Sequence, residues 1–246
     1  MSPVTRSTAK VTNVRQLTHD VRQIDFELLD PHEIHFQAGQ FVSFEVPDPR
    51  TGRLVTRPYS IASSPDSPRV ISLLLNLVPG GPGSTYLFGL QEGDKTAFSG
   101  PAGNFYLRDD PARELLFVAT GTGLAPIRSM ILSNAARPVP QRATLFWGLR
   151  SQRDLYYQEE LADLKQQHTD FSCTVTLSRP EAGWSGVTGR VTDLVQQQVR
   201  DVKQRTVYLC GNSSMIKEVT GMIQAKGLCP IYREKYYDDS EGNDAT

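Results

Sequence analysis

The sequence predicts two domains of different class: a mainly β half over residues 1–110 and an α/β half over residues 111–246. Three observations carry this. Up to about Pro101, apolar and polar residues alternate at the period of a strand. Beyond Arg113, apolar strand-like runs alternate with segments of helix length. Between them lies Arg108-Asp109-Asp110-Pro111-Ala112-Arg113, polar and proline-containing as linkers are.

Taken in order, residues 1–7 are polar and read as a loose terminus. Strand texture begins at Ala9. Ile24, Phe26 and Leu28 alternate with Asp25 and Glu27, and Val42, Phe44 and Val46 with Ser43 and Glu45. Arg69 to Val78 is a more continuous apolar run, and Lys95 to Ser99 a short strand. Turn clusters separate these runs at Asp30-Pro31, at residues 47–52 and at residues 64–68. Short strands at this spacing predict an antiparallel barrel or sandwich. One helix interrupts them. Pro79-Gly80-Gly81-Pro82-Gly83 leads into it, with Ser84 as the expected cap.

In the second half, strands are expected at Glu114 to Thr120, Arg142 to Gly148, Phe171 to Leu177, Thr206 to Cys210 and Ile231 to Tyr237. Helices are expected up to about Asn134, from about Asp154 to His168, over Val191 to Val199 with a cap near Thr188 or Gly189, and over Ser213 to Lys226. This order predicts a five-stranded parallel sheet covered on both faces. The acidic stretch from about residue 238 reads as a disordered tail.

Composition narrows the function classes. The chain has 246 residues, 39% hydrophobic and 22% charged, as expected of a globular protein with a real core. Its formal net charge of -1 does not suggest a nucleic-acid partner. No apolar run approaches the roughly 18 residues of a membrane span, and the N-terminus lacks the apolar centre of a signal peptide. Cys173, Cys210 and Cys229 are too few and too scattered for a disulfide framework, and a cytoplasmic setting is expected. His32, Glu33 and His35 lie in a polar turn, and no metal site is expected there.

Several clusters have ligand-binding chemistry. Arg57-Pro58-Tyr59-Ser60 puts a cation, a ring and a hydroxyl on one stretch. Extended geometry places Arg57 and Tyr59 on one face and Ser60 on the other. By themselves these residues also describe an ordinary edge strand. Glycines before a helix leave N–H groups that favour an anion, which applies both to Gly83-Ser84-Thr85 and to Gly121-Thr122-Gly123-Leu124-Ala125-Pro126. The second cluster follows the first parallel strand, where a dinucleotide fingerprint would stand, although Pro126 replaces its last glycine or alanine. Arg150 ends the second parallel strand, and Ser178 and Arg179 end the third. These suit a 2′-phosphate and leave NADP or NAD open. The fourth strand ends at Cys210-Gly211-Asn212, again at the edge where ligands gather in parallel sheets.

In this order the clusters resemble the ferredoxin–NADP reductase superfamily over about residues 8–237. Residues 149–157 and 177–186 are most similar to reductase modules of bacterial oxygenase systems. The resemblance implies a Greek-key, antiparallel FAD-binding barrel followed by an NAD(P)-binding α/β domain with a five-stranded parallel sheet. It implies that Arg57 pairs with the FAD pyrophosphate and that Tyr59 stacks on the isoalloxazine ring, with Pro58 and Leu77 in the flavin-binding set. Gly83, Ser84 and Thr85 form the second pyrophosphate clamp, favouring FAD over FMN. Gly121, Thr122, Gly123 and Pro126 line the dinucleotide, together with Arg150, Ser178 and Arg179. The implied catalytic set is Ser60 near flavin N5, Cys210 with Gly211 by the nicotinamide, and Glu234. Tyr236 falls with Glu234 where the last strand approaches the flavin.

The activity so implied is electron transfer between a nicotinamide and a separate acceptor, a ferredoxin, a flavodoxin or an oxygenase component. No strong general acid or base is called for, because the flavin carries the electronics. Relatives often carry a [2Fe–2S] domain, which needs four closely spaced cysteines; three scattered ones do not form it. Reduction of free flavin, or service as a flavin-binding electron-transfer subunit of a larger complex, are the alternative activities.

Overall fold

The computed structural model describes residues 5–236. The acidic tail falls outside them. The described chain forms two compact units. One holds the residues up to Arg108 together with Ala125–Arg137; the other holds Asp109–Leu124 and the residues from Pro138 onward.

The first unit has six strands: β1 (Thr5–Gln16), β2 (Val21–Asp30), β3 (Phe41–Pro47), β4 (Leu54–Ser60), β5 (Val70–Asn76) and β6 (Lys95–Ala102). Helix α1 (Pro82–Gly89) lies between β5 and β6 in the chain. The strands run antiparallel in the order β4-β3-β6-β1-β2-β5. The two ends of that row meet just after β4. Ile61 bridges Leu73, and the Ala62 N–H donates to the Ser72 carbonyl at 2.8 Å. A sheet that closes on itself is a barrel, as expected. The alternating apolar residues fill it: Phe26, Phe44 and Phe98 are buried, with the Phe44 ring centroid 6.0 Å from that of Phe26 and 5.6 Å from that of Phe98.

Two expectations for this unit need correction. Residues 5–7 are not loose, because β1 starts at Thr5 and pairs with β6 from Gly100 downward. Ladder hydrogen bonds hold a polar segment that has no apolar content to advertise it. Ser84 is not the helix cap. Gly81 holds that position and Pro82 opens the helix, where its missing N–H is no loss. The Ser84 hydroxyl instead turns back, accepting from the Val78 N–H at 3.0 Å and lying 3.2 Å from the Val78 carbonyl oxygen. It ties the helix to the end of the preceding loop.

The second unit is a parallel sheet of β7 (Glu114–Thr120), β8 (Ala143–Leu149), β9 (Phe171–Leu177), β10 (Val187–Thr188), β11 (Arg205–Gly211) and β12 (Ile231–Lys235). Their order is β10-β9-β8-β7-β11-β12. Five strands match the expected ones; the sixth, β10, has only two residues beside the end of β9, too short to leave a period. The chain turns from β7 to β8 on one side and to β11 on the other. The edge of β7 is thus the switch point where parallel sheets open a crevice. Helices α4 (Val191–Gln198) and α5 (Ser213–Lys226) bury Val191, Leu194, Val195, Met215, Val219 and Ile223 with Leu116 and Val118 of β7.

The other helices are α2 (Leu124–Ala135) and α3 (Gln158–Gln167). The helix expected from Asp154 is shorter. A 3-10 turn over Gln152–Asp154 comes first, closed by Ser151 and Asp154 capping each other, and α3 begins only after Tyr157. Arg190, not Thr188 or Gly189, precedes the first residue of α4.

Candidate functional site

In the first unit, β4 has only β3 as its ladder partner among the described residues. That position admits Pro58, which has no N–H to give to a second ladder. Along β4, Arg57 and Tyr59 are half-buried, Pro58 is exposed and Ser60 is buried, so the alternation expected from the sequence holds. The Tyr59 ring meets Phe44 edge-on at 6.0 Å. Burial pushes the Tyr59 phenol up to about 12, against the opposing pull of the Arg57 charge. Arg57 donates from Nη1 to the Thr56 carbonyl at 3.0 Å.

The start of α1 lies against the same strand. A Cβ built on Gly83 would collide with the Tyr59 hydroxyl and lie 2.9 Å from both Cβ and Cγ of Arg57. Two clusters 24 to 26 positions apart in sequence thus share one surface. Gly83 and Ser84 are buried, while Thr85 is exposed and donates its N–H to the Gly81 carbonyl at 3.0 Å. Leu77 is an exposed large apolar side chain, 39% accessible, shortly before the glycine-rich loop.

In the second unit, two turns interlock at the ends of β7 and β11. A Cβ on Gly123 would collide with the Cys210 carbonyl and lie 2.8 Å from Gly211 Cα. A Cβ on Gly211 would collide with the Thr120 hydroxyl, and the Asn212 N–H donates to that same hydroxyl at 2.9 Å. Asn212 then caps α5 by accepting from the Ser214 and Met215 N–H groups. Gly121 differs from both of these glycines. It adopts φ +52°, and nothing lies within 4 Å of where its Cβ would be. Its turn is therefore open on one side. Thr122 is buried, and Pro126 is buried in the first turn of α2, where proline is tolerated.

Cys210 has no exposed surface. Burial pushes its thiol well above the ordinary value, the neighbouring Glu234 carboxylate adds to this, and contacts with Tyr236 and the Gly211 backbone oppose it. Cys210 stands opposite Glu234 in the β11–β12 register. The Tyr236 N–H donates to the Gly211 carbonyl at 3.3 Å. Elsewhere, Ser178 donates from its N–H and hydroxyl to the Leu149 carbonyl, at 3.0 and 3.3 Å. The Arg179 N–H donates to the Arg150 carbonyl at 2.7 Å. The side chains of Arg150, Ser178 and Arg179 are all exposed.

Sequence reasoning missed three residues that shape these turns. Trp147 Nε1–H and the Tyr156 hydroxyl each donate to the Gly121 carbonyl at 3.0 Å, and Thr120 locks the neighbouring turn. The consecutive Tyr156-Tyr157 in an otherwise polar connection was the one visible signal.

These residues fit the two groups that the fold calls for. A cation beside a glycine-started helix suits a flavin pyrophosphate, and an open glycine turn at a sheet's switch point suits a dinucleotide. Comparison with known proteins gives the same two cofactors. Residues 8–106 match the model described as oxidoreductase FAD-binding domain, and residues 117–221 match the oxidoreductase NAD-binding domain. A ferredoxin–NADP reductase B from Sorangium cellulosum is 35% identical, over 93% of this chain and 96% of its own length. The ferredoxin–NAD(P)+ reductase component of naphthalene 1,2-dioxygenase/salicylate 5-hydroxylase systems from Ralstonia is 31% identical over 92% of this chain and 68% of its own. The crystal structure of an Amycolatopsis cytochrome P450 reductase superposes with a TM-score of 0.85 at 28% identity, covering 96% of this chain and 71% of that one. The chain belongs to the ferredoxin–NADP reductase superfamily, and it is an oxidoreductase that uses FAD and a nicotinamide dinucleotide.

Proposed function

We propose that this chain delivers reducing equivalents from NADPH or NADH to a separate one-electron acceptor, a ferredoxin, a flavodoxin or an oxygenase component. The observation that carries this is the shared surface of Arg57, Tyr59 and Gly83 on β4 and α1. It supports a pyrophosphate held by the Arg57 fork, by Gly83, Ser84 and Thr85, and by the α1 N-terminus. Pro58, Tyr59 and Leu77 supply apolar contact, with Tyr59 against the flavin ring and Ser60 giving it a polar neighbour. Bound FAD supplies the conversion between two-electron and one-electron chemistry.

Gly121, Thr122 and Gly123, with Pro126 in the first turn of α2, receive the dinucleotide. Arg150, Ser178 and Arg179 hold the adenosine end, and two cations there favour NADPH. Cys210 and Gly211 border the nicotinamide, with Glu234 and Tyr236 beside them. With its pKa pushed up by burial, the Cys210 thiol stays neutral at physiological pH and serves by shape rather than by proton transfer. The named activities of the Sorangium and Ralstonia proteins support an acceptor of ferredoxin type. Among the described residues no helix is long and apolar enough to cross a membrane. Three free cysteines suit work in the cytoplasm.

Anaerobic titration of the FAD-loaded protein with NADPH and with NADH tests this. Bleaching of the flavin absorbance by one equivalent of the preferred nucleotide is expected. No flavin absorbance after incubation with FAD and gel filtration would overturn it.

A further inference from the structure

The Gly121 carbonyl has more donors than a turn needs. The Leu124 N–H already reaches it, as in any 3-10 turn. Trp147 Nε1–H and the Tyr156 hydroxyl then add two bonds of 3.0 Å from side chains that are 0% and 5% exposed. The two rings hold each other edge to face at 4.7 Å, and Tyr157 packs on Tyr156 at 5.3 Å. Tyr157 is the one non-glycine residue with positive φ among the described residues, at +54°. That conformation is uncommon for a bulky side chain and carries strain. The 3-10 turn just before it is fixed by the Ser151–Asp154 cap and by Gln152 bonding both ways with Glu181. The strained backbone follows Tyr156, whose hydroxyl reaches the Gly121 carbonyl, and sets the Tyr157 ring against it.

A glycine at positive φ could let the following peptide turn over. The peptide dipole would then reverse. A reversed peptide would aim its carbonyl lone pairs at the open side of the turn. We infer that Trp147 and Tyr156 are positioning residues for dinucleotide binding: they anchor the Gly121 carbonyl inward and so keep the positive end of that peptide dipole toward the phosphates. Hydrogen bonds accepted by a carbonyl also polarise its amide, which strengthens the same end. This rests on the proposed placement of the dinucleotide at Gly121–Gly123.

Tyr156→Phe removes one donor and keeps the ring. In the full-length, FAD-loaded protein it should raise Kd and KM for the preferred nucleotide roughly threefold to tenfold, the effect of one neutral hydrogen bond. Turnover at saturating nucleotide and flavin content should not change, and the melting midpoint should fall only by the roughly 2–4 °C that one hydrogen bond contributes. Trp147→Phe should raise Kd in the same direction. Tyr157→Phe alters the same aromatic cluster without removing either donor and should leave Kd unchanged. Hydrogen exchange over residues 119–126 is measured with and without the oxidised nucleotide. If nucleotide slows exchange there but both donor variants bind normally, or if Tyr157→Phe weakens binding as much as they do, the positioning role is wrong. If nucleotide leaves exchange unchanged in the unaltered protein, the dinucleotide placement itself is wrong and the inference falls with it.

Discussion

The hydroxyl of Tyr59 stands in the space that a side chain on Gly83 would need. The contact is between β4 and the first turn of α1, and Arg57 flanks it with its Cβ and Cγ. Alanine at 83 cannot be accommodated by a flexible tip, because the obstacles are a ring packed edge-on against Phe44 and the root of an arginine. Gly83→Ala should cost about 1–3 kcal/mol, the usual range for overpacking. It should lower FAD occupancy as well. A thermal melt with flavin quantification checks it; full occupancy and an unshifted midpoint would remove α1 from the flavin site.

Arg57→Ala separates charge from packing. Among the described residues, the Arg57 side chain donates to the carbonyl of the residue before it, so its loss should spare the fold. A charge-assisted bond is worth roughly 1.5–3 kcal/mol, so FAD affinity should fall about tenfold to hundredfold. Equilibrium dialysis against FAD measures it, and unchanged affinity would take the pyrophosphate away from this residue.

Arg179→Ala addresses nucleotide choice. Arg150 and Arg179 are neighbours at the ends of β8 and β9, joined by the 2.7 Å backbone bond, and both are exposed. Nearby Arg153 is already paired with Glu181 at 3.0 Å. A cation serving a 2′-phosphate should matter for NADPH and not for NADH. The expected result is a KM for NADPH raised about tenfold or more, with the KM for NADH unmoved. Equal effects on the two nucleotides would rule out 2′-phosphate recognition.

Stability should fall on the alkaline side. Burial pushes Cys173 and Tyr59 up to about 12 and Cys210 well above its ordinary value. The folded protein therefore keeps these protons while the unfolded chain loses them near pH 9 for cysteine and 10 for tyrosine. A group whose folded pKa is raised gives its full stabilisation below the unfolded pKa and loses it as pH climbs toward the folded value. The melting midpoint should be level through about pH 8 and then decline. A midpoint that holds level to pH 11 would contradict the burial of these groups.

Much of the architecture could be read from the chain because it is periodic. Alternation at two residues marks Phe26 and Phe44 as barrel interior, and continuous apolar runs mark β7, β8 and β11 as buried parallel strands. Residues 5–7 and β10 were not readable, since ladder bonds pair backbone atoms and need no apolar side chains. Ser84 misled for a related reason: a hydroxyl three residues into a helix and one at its cap look alike until the backbone shows which carbonyls it faces.

The chemistry of the site divides in the same way. The sequence alone determined which residue types stand at strand ends and before helices: Arg57, Tyr59, the glycines at 83, 121, 123 and 211, and Cys210. Local backbone geometry dictates those choices, so they leave a local mark. It takes the folded chain to show which glycine exists for close packing and which for an open turn, and that Trp147 and Tyr156 reach the Gly121 carbonyl from 26 and 35 positions away. A hydrogen bond between distant side chain and backbone depends on where the folded sheet carries each end, and no spacing along the chain encodes that distance.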